Sequence, residues 1–341
     1  MWQIAQPTKV PDPGYRALEF LAPGIRQVVA GFINGSRQRV QEIRLRLNRP
    51  LMVEADGSWM LRPDGGVTVH AARAWFVGET DLMGTLERMT ASSLYTMEEE
   101  LRRGFITLPG GHRAGLAGEC LVRDGRLLRI KSVTSINLRL AREMPGIARR
   151  LLPFLWSNGR FCRTLVISPP KAGKTTVLRD LIRAISNGEI AGHRCKVGLV
   201  DERSEVAGCF HGVPQLDVGV QTDVLDGCPK AEGILLLLRT MSPDVVAVDE
   251  LGSYEEAEAL RDLLHAGVSV LATAHADNLE DLRKRPSLFR LLADGGIQRV
   301  VVLSRRLGPG TVEGIWDETA GSFLPVGSFC LSSQIEPGNS W

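Results

Sequence analysis

The sequence has no C-x-x-C pair: its six cysteines, at 120, 162, 195, 209, 228 and 330, stand singly. Zinc sites and disulfide frameworks need clustered or regularly spaced cysteines, so neither organises this chain, and the thiols are expected to be reduced and partly buried. Long apolar runs are missing as well. The stretch ILLLL at 234–238 is among the longest, far short of the ~20 residues that span a bilayer. The opening MWQIAQPTKVPDPGY lacks the basic-then-apolar order of a secretory signal, so the expected location is the cytoplasm, with any membrane contact made from that side. Internal repeats and low-complexity segments are absent. Basic residues are not interleaved with aromatics, as a groove for single-stranded nucleic acid would require, and no nucleic-acid partner is expected.

What is present is ordinary in bulk and uneven in detail. With 341 residues, 44% hydrophobic and 23% charged, the chain can bury two cores. The net charge of +2 conceals a division: residues 1–160 carry 23 Lys and Arg against 15 Asp and Glu, and residues 161–341 carry 18 against 24. Of those 23 basic residues, 21 are arginine, whose planar fork suits phosphate and carboxylate. The expected organisation is a smaller mixed α/β domain over 1–155, a second domain over 156–320 and a tail over 321–341.

In the first domain, Ile43, Leu45 and Leu47 alternate with Arg44 and Arg46, and turns at NRP and ADGS predict a pair of half-buried strands within 42–61. The spacing of Leu82, Leu86 and Met89, with Gly104 as a stop, predicts a helix over 79–104. Short strands with glycine-rich turns are expected next, then a linking helix near 146–156. From Thr164 the texture changes. TLVIS, KVGLV, DVVAV, VSVLATA and RVVVLS are apolar on both faces and alternate with helical segments, which predicts a parallel sheet covered by helices. An edge hairpin is expected within 311–327.

The chemistry sits at the ends of these strands. In LVISPPKAGKTTVLRD (165–180) a strand runs into a phosphate loop, Ser168, Pro169, Pro170, Lys171, Ala172, Gly173, Lys174, Thr175 and Thr176, and then a helix. Gly173 allows backbone N–H groups to converge on phosphate oxygens, Lys174 would reach the β- and γ-phosphates, and Thr175 would offer its hydroxyl to Mg²⁺. The helix adds its positive end. Ser168 stands where the motif G-x-x-x-x-G-K-[ST] has glycine, a place where a small residue of negative φ suffices. The strand in SPDVVAVDELG (242–252) delivers Asp249, expected to hold Mg²⁺ through water, and Glu250, expected to polarise the attacking water. GLVDERSEVAG (198–208) brings Asp201, Glu202 and Arg203 to the same crevice, with Glu202 the alternative base, and VSVLATAHADN (268–278) brings Thr273 and His275, the latter placed to sense the γ-phosphate.

The order of these boxes resembles the RecA-like ATPases of type II and type IV secretion. EIRLRLNRPL, SINLRLAREMPG, LVDERSEVAG and DVLDGCPKAEG are similar to segments of the sporulation branch, the stage III sporulation protein AA family, over roughly residues 40–317. Ser168, the LGSYEEA that follows the Walker-B glutamate, and the order of Asp and Asn in HADN depart from the secretion-motor pattern. The resemblance implies a RecA-like P-loop ATPase with ATP and Mg²⁺. It implies self-association, in a hexameric ring, at the cytosolic face of a membrane channel complex between mother cell and forespore. It also implies that arginines of the first domain, with Arg44 and Arg46 or Arg139 and Arg142 as the candidate pairs, complete the site of a neighbouring subunit. Two other readings of the same residues stay open: a RecA-like nucleic-acid motor, and a nucleotide-gated scaffold with little turnover.

Overall fold

The alternation at 42–46 is realised as a strand, β1 (Glu42–Arg46), in which Ile43 and Leu45 are wholly buried while Arg44 and Arg46 share the other face. The computed structural model describes residues 17–36, 39–90, 104–123, 126–141, 143–190 and 192–331, and the chain divides into two units, 1–142 and 143–341.

In the first unit the turns near 48 and 56 both close, so three strands form where a pair is expected from the pattern: β1, β2 (Met52–Glu54) and β3 (Ser58–Leu61). With β4 (Val67–Thr68), β5 (Phe105–Leu108), β6 (His112–Arg123) and β7 (Arg126–Arg139) they make an antiparallel sheet in the order β4-β3-β2-β1-β7-β6-β5. The segment expected to hold short strands opens with one, β5, joined to β6 through the glycine turn at 110–111, and continues as a long hairpin, β6–β7, because glycines 115 and 118 lie within its pairing rather than at turns. The apolar stripe of α1 (Pro23–Gly35), Ile25, Val28, Val29 and Phe32, and the buried side of α2 (Glu79–Thr90) pack with the sheet's apolar face. The remainder of the expected 79–104 helix, 91–103, lies outside the described residues.

The second unit begins earlier than the sequence suggests, at Glu143 rather than after residue 155. Ile147, Ala148, Leu151, Leu152 and Leu155 are buried with Val177, Leu178 and Leu181, so this linker belongs to the second core. No α-helix forms there. The N–H groups of Arg149, Leu151 and Phe154 bond three residues back, in tight turns, and Pro153 has no N–H with which to continue a helix. Asp180 takes up two of the segment's backbone groups, the N–H of Gly146 at 2.9 Å and of Ala148 at 2.7 Å.

After a small hairpin, β8 (Trp156–Ser157) and β9 (Arg160–Phe161), come the strands of a nine-stranded sheet: β10 (Thr164–Ser168), β11 (Val197–Asp201), β12 (Thr222–Asp226), β13 (Val245–Leu251), β14 (Ser269–His275), β15 (Arg299–Ser304), β16 (Thr311–Asp317), β17 (Ser322–Phe323) and β18 (Phe329–Cys330). Their order is β12-β11-β13-β14-β10-β15-β16-β17, with β18 also on β16. The first six run parallel and the last three form an antiparallel edge. Every residue of β10 and β11 is buried, as strands covered on both faces must be. The helices are α3 (Lys174–Asn187), α4 (Lys230–Thr240), α5 (Tyr254–His265), α6 (Leu279–Arg283) and α7 (Pro286–Ala293). The segment expected as a separate tail from 321 is part of this unit: β17 and β18 extend the sheet, and Cys330 and Leu331 are buried. Residues 332–341 lie outside the described residues.

Four cysteines are buried and Cys120 is exposed. Burial pushes the thiols of Cys195 and Cys209 up to about 11 and about 12, which keeps them protonated and unreactive at neutral pH. No helix among the described residues is long and apolar enough to cross a membrane.

Candidate nucleotide site

The site is built where β10, β13 and β14 end together. β10 pairs in parallel with β14, and Ser168 lies opposite His275 in that register. The loop then turns through two left-handed residues, Lys171 at φ 59° and Gly173 at φ 92°, before α3 begins at Lys174. Gly173 caps α3 with no side-chain acceptor on its first turn, so that turn presents N–H groups and the positive end of a 14-residue helix. A side chain at Gly173 would be strained, and its Cβ would come within 3.4 Å of the Gly310 nitrogen. Gly310 donates its N–H to the Ala172 carbonyl at 2.8 Å and so supports the loop from β16's side, a contact no local motif announces. Pro169 and Pro170 carry no N–H, so the loop's donors are Lys171, Ala172, Gly173 and the residues that follow.

Ser168 is fully buried with a negative φ, as its place in the loop requires. Its hydroxyl donates to the Pro169 carbonyl at 2.7 Å and is 3.4 Å from Lys174 Nζ. That long contact is worth at most about 1 kcal/mol. Ser168→Gly is therefore expected to change nucleotide affinity by no more than about fivefold in a titration. A larger gain would mean that the hydroxyl holds Lys174 away from its ligand.

Lys174 is 6% exposed. Its ammonium group has only the Ser168 carbonyl at 3.5 Å, the Ser168 hydroxyl and His275 Nδ1 at 3.2 Å within reach, and among the described residues it has no carboxylate partner. Burial pushes its pKa down, and the charges of Glu250 and Asp249 only partly offset that. Such a buried, under-neutralised cation fits an anionic ligand. Thr175 donates to Asp249 at 2.9 Å, and Thr273, on β14, donates to the other carboxylate oxygen of Asp249. Thr175 and Asp249 together offer two oxygens suited to Mg²⁺. No cluster of three or more His, Cys, Asp or Glu suited to a metal exists among the described residues, so a cation here would draw its remaining ligands from phosphate and water.

Glu250 adopts a left-handed conformation, φ 52°, where β13 and β14 shift register between Val248 and Leu251. Its N–H donates to Thr273 Oγ1 at 2.8 Å; its carboxylate meets His275 Nε2 at 2.9 Å and Arg203 at 3.2 Å. His275 thus stands between Lys174 on one ring nitrogen and Glu250 on the other. Because Nδ1 accepts from an ammonium, the ring proton belongs on Nε2, where it donates to Glu250.

The strand-end pair Asp201 and Glu202 divides in role. Asp201 is buried and accepts three backbone N–H bonds, from Glu205 at 2.9 Å, Val206 at 3.0 Å and Ala207 at 2.8 Å, closing the turn after β11. Burial raises its pKa against those bonds. Glu202 lines a shallow open cleft together with Asp201, Arg203, Lys230, Asp249 and Glu250, and pairs with Lys230 at 3.2 Å. Thr176 stands at a different opening, beside Arg179, Asp180 and Arg183.

Of the first-unit arginines, Arg139 meets Glu42 at 3.6 Å with 61% of its side chain exposed, Arg44 bonds Glu42 at 2.7 Å, and Arg46 points to the Met52 sulfur. Arg142 lies outside the described residues. Lys230 is missing from the residues that motif reading picks out. The available signal was a lysine opening a helix, PKAEG, where the helix dipole disfavours a cation.

Residues 15–323 match the family model described as Sporulation stage III, protein AA. Over 279 residues the chain is 45% identical to "Stage III sporulation protein AA" of Bacillus subtilis (strain 168), an alignment covering 82% of this chain and 87% of that one. It is 28% identical over 178 residues to "Uncharacterized protein ycf45" of Cyanidium caldarium, covering 51% and 50% of the two chains. Among solved structures, the pilus retraction motor PilT with bound ADP superposes with a TM-score of 0.52 at 16% identity, covering 82% of this chain and 77% of that one, a likeness of fold. The chain shares the fold of this motor, and its second unit carries the mostly parallel, helix-covered sheet that the apolar strand runs implied.

Proposed function

The chain belongs to the sporulation stage III protein AA family, and on that premise we propose that it hydrolyses ATP to drive a membrane complex between mother cell and forespore, acting as a ring of identical subunits at the cytosolic face of the mother-cell membrane. The observation that carries the reading is Lys174: a buried ammonium without a carboxylate partner, at the mouth of a left-handed loop and beside the Thr175–Asp249 pair. In this reading Lys174 and the first turn of α3 hold the β- and γ-phosphates, and Thr175 and Asp249 hold Mg²⁺. The metal would neutralise charge developing on the phosphate oxygens. Glu250 orients the attacking water and takes its proton, with Glu202 standing by as the alternative base. His275 links the phosphate-binding lysine to the base, so that a ligand drawing Lys174 away frees one side of the ring. Arg139, exposed and only loosely paired, is the arginine offered to a neighbouring subunit's site.

The test is ATP turnover as a function of protein concentration, on the wild type and on mixtures of Lys174→Ala with Arg139→Ala. Turnover per chain is expected to rise with concentration, and the mixture to recover activity that neither variant has alone. An Arg139→Ala protein that is fully active at every concentration removes Arg139 from the site, and Arg44 and Arg46 then take the same test. Hydrolysis that depends on added DNA or RNA would point to the nucleic-acid motor instead.

A further inference from the structure

Glu250 presents a problem that its sequence position does not solve. In an unbroken strand, consecutive side chains point to opposite faces, so Asp249 and Glu250 could not serve one site. The left-handed turn at Glu250 resolves this: Asp249 reaches Thr175 while Glu250 reaches His275, itself 3.2 Å from Lys174. A non-glycine residue pays about 1–2 kcal/mol for that conformation, and keeps it only where the surroundings over-determine it. One fixing bond comes from Thr273, to the Glu250 N–H at 2.8 Å. The other comes from Lys230, whose Nζ donates to the Glu250 carbonyl at 3.1 Å.

Lys230 is itself an anomaly. It is the first residue of α4, it is 8% exposed, and it lies at the helix end that repels cations. Three acceptors hold it there: the Glu250 carbonyl, Glu202 at 3.2 Å and Glu256 at 3.4 Å. Glu256 in turn accepts the N–H groups of Gly252 and Ser253 and closes the capping box of α5. One ammonium therefore ties the end of β13 to the start of α5 and to the end of β11.

We propose that Lys230 is a positioning residue for hydrolysis: it locks the Glu250 peptide in its left-handed state and so aims the Glu250 carboxylate at the site. The proposal rests on the ATPase reading above. Lys230 does not touch the phosphate loop, so its removal should disorder the base and spare the nucleotide cradle. A displaced base group costs on the order of 10²-fold in rate.

The experiment compares kcat and the ATP Kd of the wild type, Lys230→Met and the double variant Lys230→Met/Glu256→Gln. Glutamine at 256 keeps the cap acceptor while removing its charge. The expected result is a fall of about 10²-fold in kcat for Lys230→Met, with Kd within about threefold, and no recovery in the double variant. Three outcomes overturn the proposal: an unchanged kcat, a parallel loss of Kd, or restored turnover in the double variant, which would reduce Lys230 to a counter-ion for Glu256. If Lys230→Met shows no cooperative melting transition, the same constants are read on Lys230→Arg, whose larger fork displaces the carbonyl it must hold. There, a fall of at least about tenfold in kcat with Kd kept supports the proposal, and an unchanged kcat overturns it. A wild type that binds ATP and never hydrolyses it refutes the ATPase reading itself, an outcome separate from all of these.

Discussion

A Glu250→Gln protein is expected to bind ATP as the wild type does and to hydrolyse it about 10²–10⁴-fold more slowly, the range that general-base help supplies. The substitution is nearly isosteric. It keeps one oxygen to accept from His275 Nε2, which lies 2.9 Å from Oε1 of the present carboxylate, and gives up the second oxygen that meets Arg203, an exposed contact worth little. The backbone bonds to Thr273 and Lys230 do not involve the side chain, so the left-handed turn persists. What is lost is the proton acceptor. Single-turnover hydrolysis and equilibrium nucleotide binding, measured on the same preparation, separate the two effects. Normal turnover in Glu250→Gln moves the base to Glu202, which lines the same cleft.

Lys174→Ala is expected to abolish binding where Glu250→Gln abolishes chemistry. Truncating one member of a buried charged pair costs about 2–5 kcal/mol, or roughly 30- to 4000-fold in Kd. The ligand-free protein should suffer no comparable loss. Lys174 is desolvated, its bonds to Ser168 and His275 are 3.2–3.5 Å long, and burial already pushes its pKa down. Removing it deletes an unfavourable desolvation along with weak contacts. The measurement is the melting temperature with and without ATP: wild-type Tm rises with ligand by mass action, whereas Lys174→Ala should melt no lower than the wild type without ligand and lose most of the shift at the same ATP concentration. If the variant keeps the full ligand-induced shift, the phosphate-loop assignment fails.

The contrast between these two variants follows from how each residue is held. Lys174 waits for its partner, and its present neighbours are poor substitutes. Glu250 is held before any ligand arrives, its peptide by Thr273 and Lys230 and its half-buried carboxylate by His275 and Arg203. Such pre-organisation spares the site from ordering the base during the reaction.

Much of this was legible from local pattern because the physics behind it is local. Period-two alternation at Ile43 and Leu45, continuous apolar runs in β10 and β11, and a glycine–lysine–threonine turn after a buried strand depend on neighbours within a few residues. The sequence alone therefore determined the parallel core, the strand-end placement of Asp249, Glu250, Glu202 and His275, and the family. It misplaced the boundary near 143 because Ile147, Ala148 and Leu151 look equally apolar whichever core receives them. Only the tertiary structure decided which of two adjacent acids closes the turn after β11 and which is paired by a distant lysine: Asp201 is claimed by the backbone N–H groups of that turn, and Glu202 by Lys230 from α4. It also placed β10 between β14 and β15, which sets His275 beside Lys174, and brought Lys230 under the Glu250 carbonyl from 20 positions away. Strand order, register and the partner of a buried charge arise from long-range packing, and no spacing within a single segment encodes them.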